Sequence, residues 1–315
     1  MNKGISVVGV PMWLGQTRYG TNLGPDAIRA VGMLEYLKGI APDVVDLGNI
    51  ATSTAGSFNP AEASIKNLKP ITAANKKLAD KVSGIMSQDR FPLILGGDHS
   101  IAIGILAGIA KYFNNLGVIW YDAHADINTP ETSPSGNIHG MPLAASMGMG
   151  HPDLVNIGGY APKIRPENIV FIGIRDIDEG ERRLIAKKQM KVYTMDDIRQ
   201  MGMARVMKET IEYLSQRCDG VHLSFDLDGL DPYEAPGVGT PVPDGISYND
   251  SLMAVKTLFE ANIITSADFV EVNPLLDKDN QTVAAAVSFI NVLFGGITAQ
   301  EELAAQEYSE QFLFK

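Results

Sequence analysis

Gly117-Val-Ile-Trp-Tyr121 runs straight into Asp122-Ala-His124-Ala-Asp126, and this stretch decides how the rest of the chain is read. Five residues fit for a short strand are followed at once by three side chains able to ligate a metal. Comparable short runs recur at Ile5–Val10, Val44–Leu47, Pro92–Leu95, Ile169–Ile174, Lys191–Tyr193, Val221–Phe225 and Ala267–Val272. Helical patterns lie between them at Pro25–Leu37, Ala61–Met86, Ile101–Phe113, Ala204–Gln216, Asp250–Ala261 and Gln281–Phe294. Such alternation predicts an α/β fold: a mostly parallel sheet covered by helices on both faces, three α/β/α layers in a single domain over residues 1–315. No internal repeat, low-complexity tract or linker composition interrupts it. Thr129–Asn137, rich in Pro, Ser, Thr and Gly, reads as a loop. Ala299–Lys315 reads as a polar, partly apolar helical tail suited to covering a neighbour.

In parallel sheets of this kind, ligands bind outside the carboxyl ends of the strands. The residues found there are Gly96-Gly97-Asp98-His99-Ser100 after one strand, Asp122 to Asp126 after a second, and Asp226-Leu227-Asp228 after a third. Extended backbone repeats every two residues, so Asp122, His124 and Asp126 would share one face, as would Asp226 and Asp228, and six potential ligands would converge at the carboxyl edge of one sheet. An Asp pair alone is usually a turn or a cap, and a lone His99 is usually a satisfied histidine. All three clusters at strand ends of one sheet are hard to explain that way. Four carboxylates so close would repel each other and resist desolvation unless cations compensated them. Two divalent ions remove that cost. Imidazole and carboxylate ligation without thiolate suits Mn²⁺ better than structural zinc. Two such ions ~3.5–4 Å apart would share bridging carboxylates and hold a hydroxide between them.

Composition is consistent with this. Hydrophobic residues make up 45% of the 315 and charged residues 20%, enough for a large core. A formal charge of −11 disfavours nucleic acid and anionic lipid as partners. The one cysteine, Cys218, allows no internal disulfide and no Cys-based zinc site, which fits a reducing, cytoplasmic setting. No secretory leader pattern and no apolar run of transmembrane length is present. Dinucleotide, P-loop and nucleophile-elbow signatures are missing too. His151 and His222 have no ligand neighbours at a matching spacing and read as ordinary histidines.

The markers GGDHS (Gly96–Ser100), DAHADIN (Asp122–Asn128), SGNIHG (Ser135–Gly140), SFDLDGLDP (Ser224–Pro232) and EVNP (Glu271–Pro274) resemble, in this order, the ureohydrolase family of arginases, agmatinases and formimidoylglutamases. The resemblance runs from Gly9 to about Gly296 and is strongest to the arginase branch. It implies one metal on His99, Asp122, Asp126 and Asp226, and a second on His124, Asp122, Asp226 and Asp228, with Asp122 and Asp226 bridging. It further implies that Asn128, Ser135 and Asn137 receive an α-carboxylate, and that Asp178 and Glu181 receive an α-ammonium. A cation needs carboxylates and a carboxylate needs N–H or O–H donors, so the assignment is chemically sensible. Seen alone, Asp178 and Glu181 would read as the acidic start of a helix.

The expected chemistry is hydrolysis of L-arginine to L-ornithine and urea by a hydroxide bridging two manganese ions. Glu271 would bind the guanidinium, His139 would shuttle protons, and Thr240 would contact substrate. Trimers or hexamers are the assemblies the resemblance implies. Two positions depart from the family's usual pattern: Trp13 in Pro11–Gly15, and Asp244 in Pro241–Gly245, where glycine is common. Two alternatives stay open, a guanidino substrate such as agmatine and a catalytically silent metal-binding protein on the same fold.

Overall fold

The structure is a computed structural model, and it describes residues 3–56 and 65–296. Among these, eight strands form one sheet: β1 Ile5–Val10, β2 Val44–Asn49, β3 Phe91–Gly96, β4 Leu116–Tyr121, β5 Ile169–Ile174, β6 Lys191–Thr194, β7 Gly220–Asp226 and β8 Ile264–Val270. Their spatial order is β2-β1-β3-β8-β7-β4-β5-β6. Every pairing is parallel, so the sheet is wholly rather than mostly parallel.

A strand covered on both faces is buried along its whole length, and β1, β3, β4, β5 and β7 are. Alternate residues feed two cores. Ile119 and Tyr121 of β4 enter one, with Val221, Leu223 and Phe225 of β7, under helices such as Met203–Ser215, Tyr248–Ala261 and Gln281–Leu293. Val118 and Trp120 enter the other, under Leu68–Ser87 and Ala102–Ile109. The three layers are therefore α/β/α.

Two helical expectations need correction. Pro25–Leu37 is two helices, Gly24–Ala30 and Met33–Ile40, because Gly32 between them takes φ 88°, which no helix interior accepts. The stretch Ala61–Met86 becomes helical at Leu68, while residues 61–64 and the expected tail at 299–315 lie outside the described residues. β8 also closes earlier than expected, at Val270. Glu271 leaves it in the left-handed region at φ 65°.

Candidate active site

The four central strands β3, β8, β7 and β4 lie side by side, and their carboxyl ends deliver His99, Glu271, Asp226 and Asp122 to one place. The convergence does not come from extended alternation, as the sequence suggested. β4 stops at Tyr121, the chain bends, and Asp126 sits at φ 52°. Asp228 lies in a 3₁₀ turn at Leu227–Gly229. The reason is local: a strand that ends leaves N–H groups without sheet partners, and the carboxylates take them. Asp122 Oδ1 accepts from His124 N at 2.7 Å, and Asp226 Oδ1 accepts from Asp228 N at 2.7 Å. Left-handed Asp126 and Glu271 each cost about 1–3 kcal/mol, strain that a functional site can hold.

His99 Nδ1 faces Asp122 Oδ2 at 3.1 Å, Asp126 Oδ2 at 3.2 Å and Asp226 Oδ2 at 3.0 Å. His124 Nδ1 faces Asp122 Oδ1 at 3.3 Å and Asp228 Oδ2 at 3.2 Å. Asp122 thus belongs to both groups, His99/Asp122/Asp126 and Asp122/His124/Asp228, each compact enough to hold an ion. Asp226, the other expected bridge, is turned toward His99. His99 Nδ1 and Asp122 Oδ2 are buried and make no hydrogen bond among the described residues, so the facing atoms are placed as ligands to a cation would be. Burial raises the Asp126 pKa to about 6, helped by the charge on Asp122. Asp226 and Asp228 rise as well, from burial and then from neighbouring carboxylates. These are the costs that divalent ions remove.

Behind His99 lies a polar ladder that the sequence reading passed over. On β7 and β8, His222 pairs with Ser266 and Ser224 with Asp268, on the face opposite Phe225 and Phe269. His99 Nε2 is 2.8 Å from Ser224 Oγ, which donates to Asp268 Oδ1 at 2.9 Å. Asp268 Oδ2 is 2.8 Å from His222 Nε2, and His222 Nδ1 is 2.9 Å from Ser266 Oγ. With Nδ1 given over to a cation, His99 would carry its proton on Nε2 and donate it to Ser224. Trp120 stacks on the same imidazole at 4.0 Å and 3°. His222 is therefore not a solitary core histidine. The missed signal was polar residues at every second position, 222, 224 and 226, of a strand read as buried. Ser224→Ala is expected to weaken metal binding by about 10–100-fold while the fold persists, as isothermal titration with Mn²⁺ would measure.

Asp98 and Arg175 were also overlooked as supports. Buried Asp98 accepts from Gly15 N at 2.8 Å and from Ser100 N at 3.1 Å, fixing the turn that carries His99. Gly97 permits this, since a Cβ there would stand 2.0 Å from Met12 O. Arg175 donates to the carbonyl oxygens of Asp228, Gly229, Leu230 and Val242, clamping the Asp228 turn to the next loop.

A cleft of about 130 Å³ opens outward from His124 and Asp126 and is lined by Asn128, Ser135, Asn137, His139, Asp178, Glu181 and Thr240. Asn128 Nδ2 donates to Asp178 Oδ2 at 2.7 Å, and Thr240 Oγ1 donates to Asp228 Oδ2 at 2.9 Å. Asn137 accepts from Lys66 Nζ at 3.1 Å, and Ser135 Oγ accepts from Asn137 N at 3.2 Å. Glu181 also does what an acidic helix start does. Its oxygens accept from Ile127 N and Asp178 N, closing a capping box at the head of the helix Glu179–Lys188. Burial lifts its pKa to about 7. His139 Nδ1 stands 3.5 Å from Glu271 Oε1. Burial alone would lower its pKa, but Glu271 and more distant Asp126 and Asp98 raise it instead.

Neither departure is among the residues lining this cleft. Trp13 packs edge-on against Tyr19 at 5.2 Å. Asp244 adopts φ 64°, a conformation glycine favours and aspartate tolerates, beside Arg199 at 3.4 Å.

A parallel α/β/α sheet with two overlapping His/Asp groups at its carboxyl edge defines a class of sites able to hold metal ions. The sequence model of the arginase family matches residues 3–295, and the chain belongs to that family. It is 58% identical over 295 residues to an arginase from Bacillus subtilis, covering 94% of this chain and 99% of the relative. The native arginase structure from Bacillus caldovelox superposes with a TM-score of 0.91 at 57% identity, covering 93% and 98% of the two chains. An Entamoeba histolytica arginase in complex with L-ornithine superposes at 0.87 with 36% identity, covering 93% and 99%. Among the described residues no helix is long and apolar enough to cross a membrane.

Proposed function

We propose that the protein hydrolyses L-arginine to L-ornithine and urea with two manganese ions, and that the chain forms one catalytic domain. The observation that carries this is the cleft itself. Its inner end holds two carboxylate–imidazole groups sharing Asp122, and its outer end carries both amide or hydroxyl donors and carboxylates. A guanidinium fits the inner end, and an amino-acid zwitterion fits the outer. Relatives named arginase at 58% identity support the same reading.

His99, Asp122, Asp126 and Asp226 would hold one ion, and His124, Asp122, Asp226 and Asp228 the other. The donors are imidazole and carboxylate only, which favours manganese over a thiolate-seeking metal. When bound, the ions supply Lewis-acid stabilisation of developing charge and make water acidic enough to ionise near neutral pH. The chain's own residues do the rest. Glu271, buried 3.5 Å from the cleft residue His139, binds the guanidinium and orients its carbon. His139 lines the cleft, and the Glu271 carboxylate 3.5 Å away favours its protonated form. Water adds to the carbon and gives up a proton, the C–N bond breaks, and the ornithine amine takes a proton from His139, which is reprotonated from solvent as neutral urea forms. Asn128, Ser135 and Asn137 receive the α-carboxylate, and Asp178 with Glu181 receives the α-ammonium. Thr240, which also lines the cleft, contacts the substrate.

Purified protein reconstituted with Mn²⁺ should release urea and ornithine in equal amounts from L-arginine. Absence of both products with two ions bound would refute the assignment. His139→Ala should lower kcat by about 10²–10⁴-fold. Its metal content should match the wild type, because His139 belongs to neither ligand group. Loss of metal in that variant would assign His139 a different role. Cys218 is a free thiol, in keeping with the cytoplasm, and the trimer or hexamer of the family reading is checked by light scattering.

A further inference from the structure

Glu271 is held by more than its own backbone. Its Oε1 accepts from His99 N at 2.9 Å and its Oε2 accepts from Gln16 Nε2 at 2.7 Å, so both oxygens are fixed. Gln16 comes from the loop after β1, 255 residues earlier in the chain, and is 5% exposed. Its amide orientation is dictated by the contact. A carboxylate needs a donor, and the reverse orientation would set a carbonyl oxygen against it. The consequence is an orphan: Gln16 Oε1 is buried and has no hydrogen-bond donor among the described residues. A buried amide that leaves its own carbonyl unmatched in order to face a carboxylate is oriented for the site rather than for the core. A second observation agrees. A Cβ on Gly239 would stand 2.3 Å from Gln16 Oε1 and 2.9 Å from Glu271 Oε2, so a side chain there would displace the ends of the pair.

We propose that Gln16 is a positioning residue that fixes the Glu271 carboxylate for the guanidinium, with Gly239 providing the space the pair requires. The inference rests on the proposed arginine hydrolysis. Glu271 leaves the strand at φ 65°, so its side chain is not aligned by the sheet, and without Gln16 one carboxylate oxygen is free to swing. A guanidinium held loosely reacts slowly, because small misplacement of a reacting carbon costs disproportionately in rate.

The test compares wild type with Gln16→Met, which keeps the length of the side chain and removes the donor. The expected result is a loss of about 10–100-fold in kcat/KM for L-arginine, mostly in kcat, with two ions per chain retained. Calorimetry supplies a readout that a merely structural role would not produce. Agmatine, which carries a guanidinium and no carboxylate, should bind about tenfold more weakly to the variant. L-Norvaline, an amino acid whose side chain has no polar tip, should bind within twofold of wild type. Gly239→Ala disturbs the same pair by another route and should give the same pattern, which covers the case of a Gln16 variant that fails to fold. Unchanged kinetics in a folded Gln16→Met would overturn the inference alone, as would parallel loss of both ligands and of metal. Failure of the wild type to hydrolyse arginine would overturn the functional reading and this inference with it.

Discussion

Replacing Asp122 by asparagine is expected to abolish turnover, with a loss of at least about a thousandfold and metal content below two ions per chain. Asp122 is the one side chain common to both compact ligand groups, and it is fully buried. Losing its charge would remove attraction for both proposed cations at once. Several kcal/mol of charge stabilisation at a factor of ten per ~1.4 kcal/mol gives the magnitude. Protons compete for the same positions. In the metal-free protein burial would lower the pKa values of His99 and His124, but Asp122, Asp126, Asp226 and Asp228 hold them well above the usual imidazole value. Metal must displace those protons, so affinity rises with pH and is lost as pH falls. Elemental analysis after gel filtration, with proton release followed on Mn²⁺ addition, checks both statements. An Asp122→Asn variant that keeps two ions and wild-type turnover would sink the shared-ligand assignment.

L-Arginine should be preferred over agmatine by roughly 10⁴-fold in kcat/KM, because a site built from paired polar groups strands them when the partner is missing. Agmatine brings no carboxylate to Asn128, Ser135 and Asn137, and no α-ammonium to Asp178 and Glu181, all of which line the outer cleft. Asp178→Ala should therefore damage arginine hydrolysis with little change in metal binding. Its loss should fall mainly in kcat/KM, since remote binding energy places the guanidinium over the metal site. Asp178 also holds Asn128 through a 2.7 Å hydrogen bond, so the variant frees this proposed carboxylate donor as well. Steady-state kinetics on both substrates, in wild type and variant, decide the matter. Equal wild-type efficiency on the two would refute the arginine assignment and leave the family intact.

The residue order alone carried the strands, the parallel α/β/α architecture and the His/Asp clusters at three strand ends. Each depends on local physics: apolar runs of strand length, helical periodicity, and polar residues crowded where such a run stops. It did not determine how the clusters meet. Periodicity predicted flat faces, whereas the structure turns Asp126 and Glu271 through left-handed conformations and folds Asp228 into a 3₁₀ turn. Those bends answer to N–H groups left unpaired at strand ends, which only the finished sheet defines. The strand order β3-β8-β7-β4 was equally hidden, because it joins segments distant along the chain. From it follow the contacts no spacing rule could find: His99 to Ser224 and Asp268, Gln16 to Glu271, and Arg175 to the carbonyls around Asp228. Glu181 shows the limit from the other side. Its helix-capping pattern was legible from residue type alone, yet its place on the wall of the cleft was settled by packing.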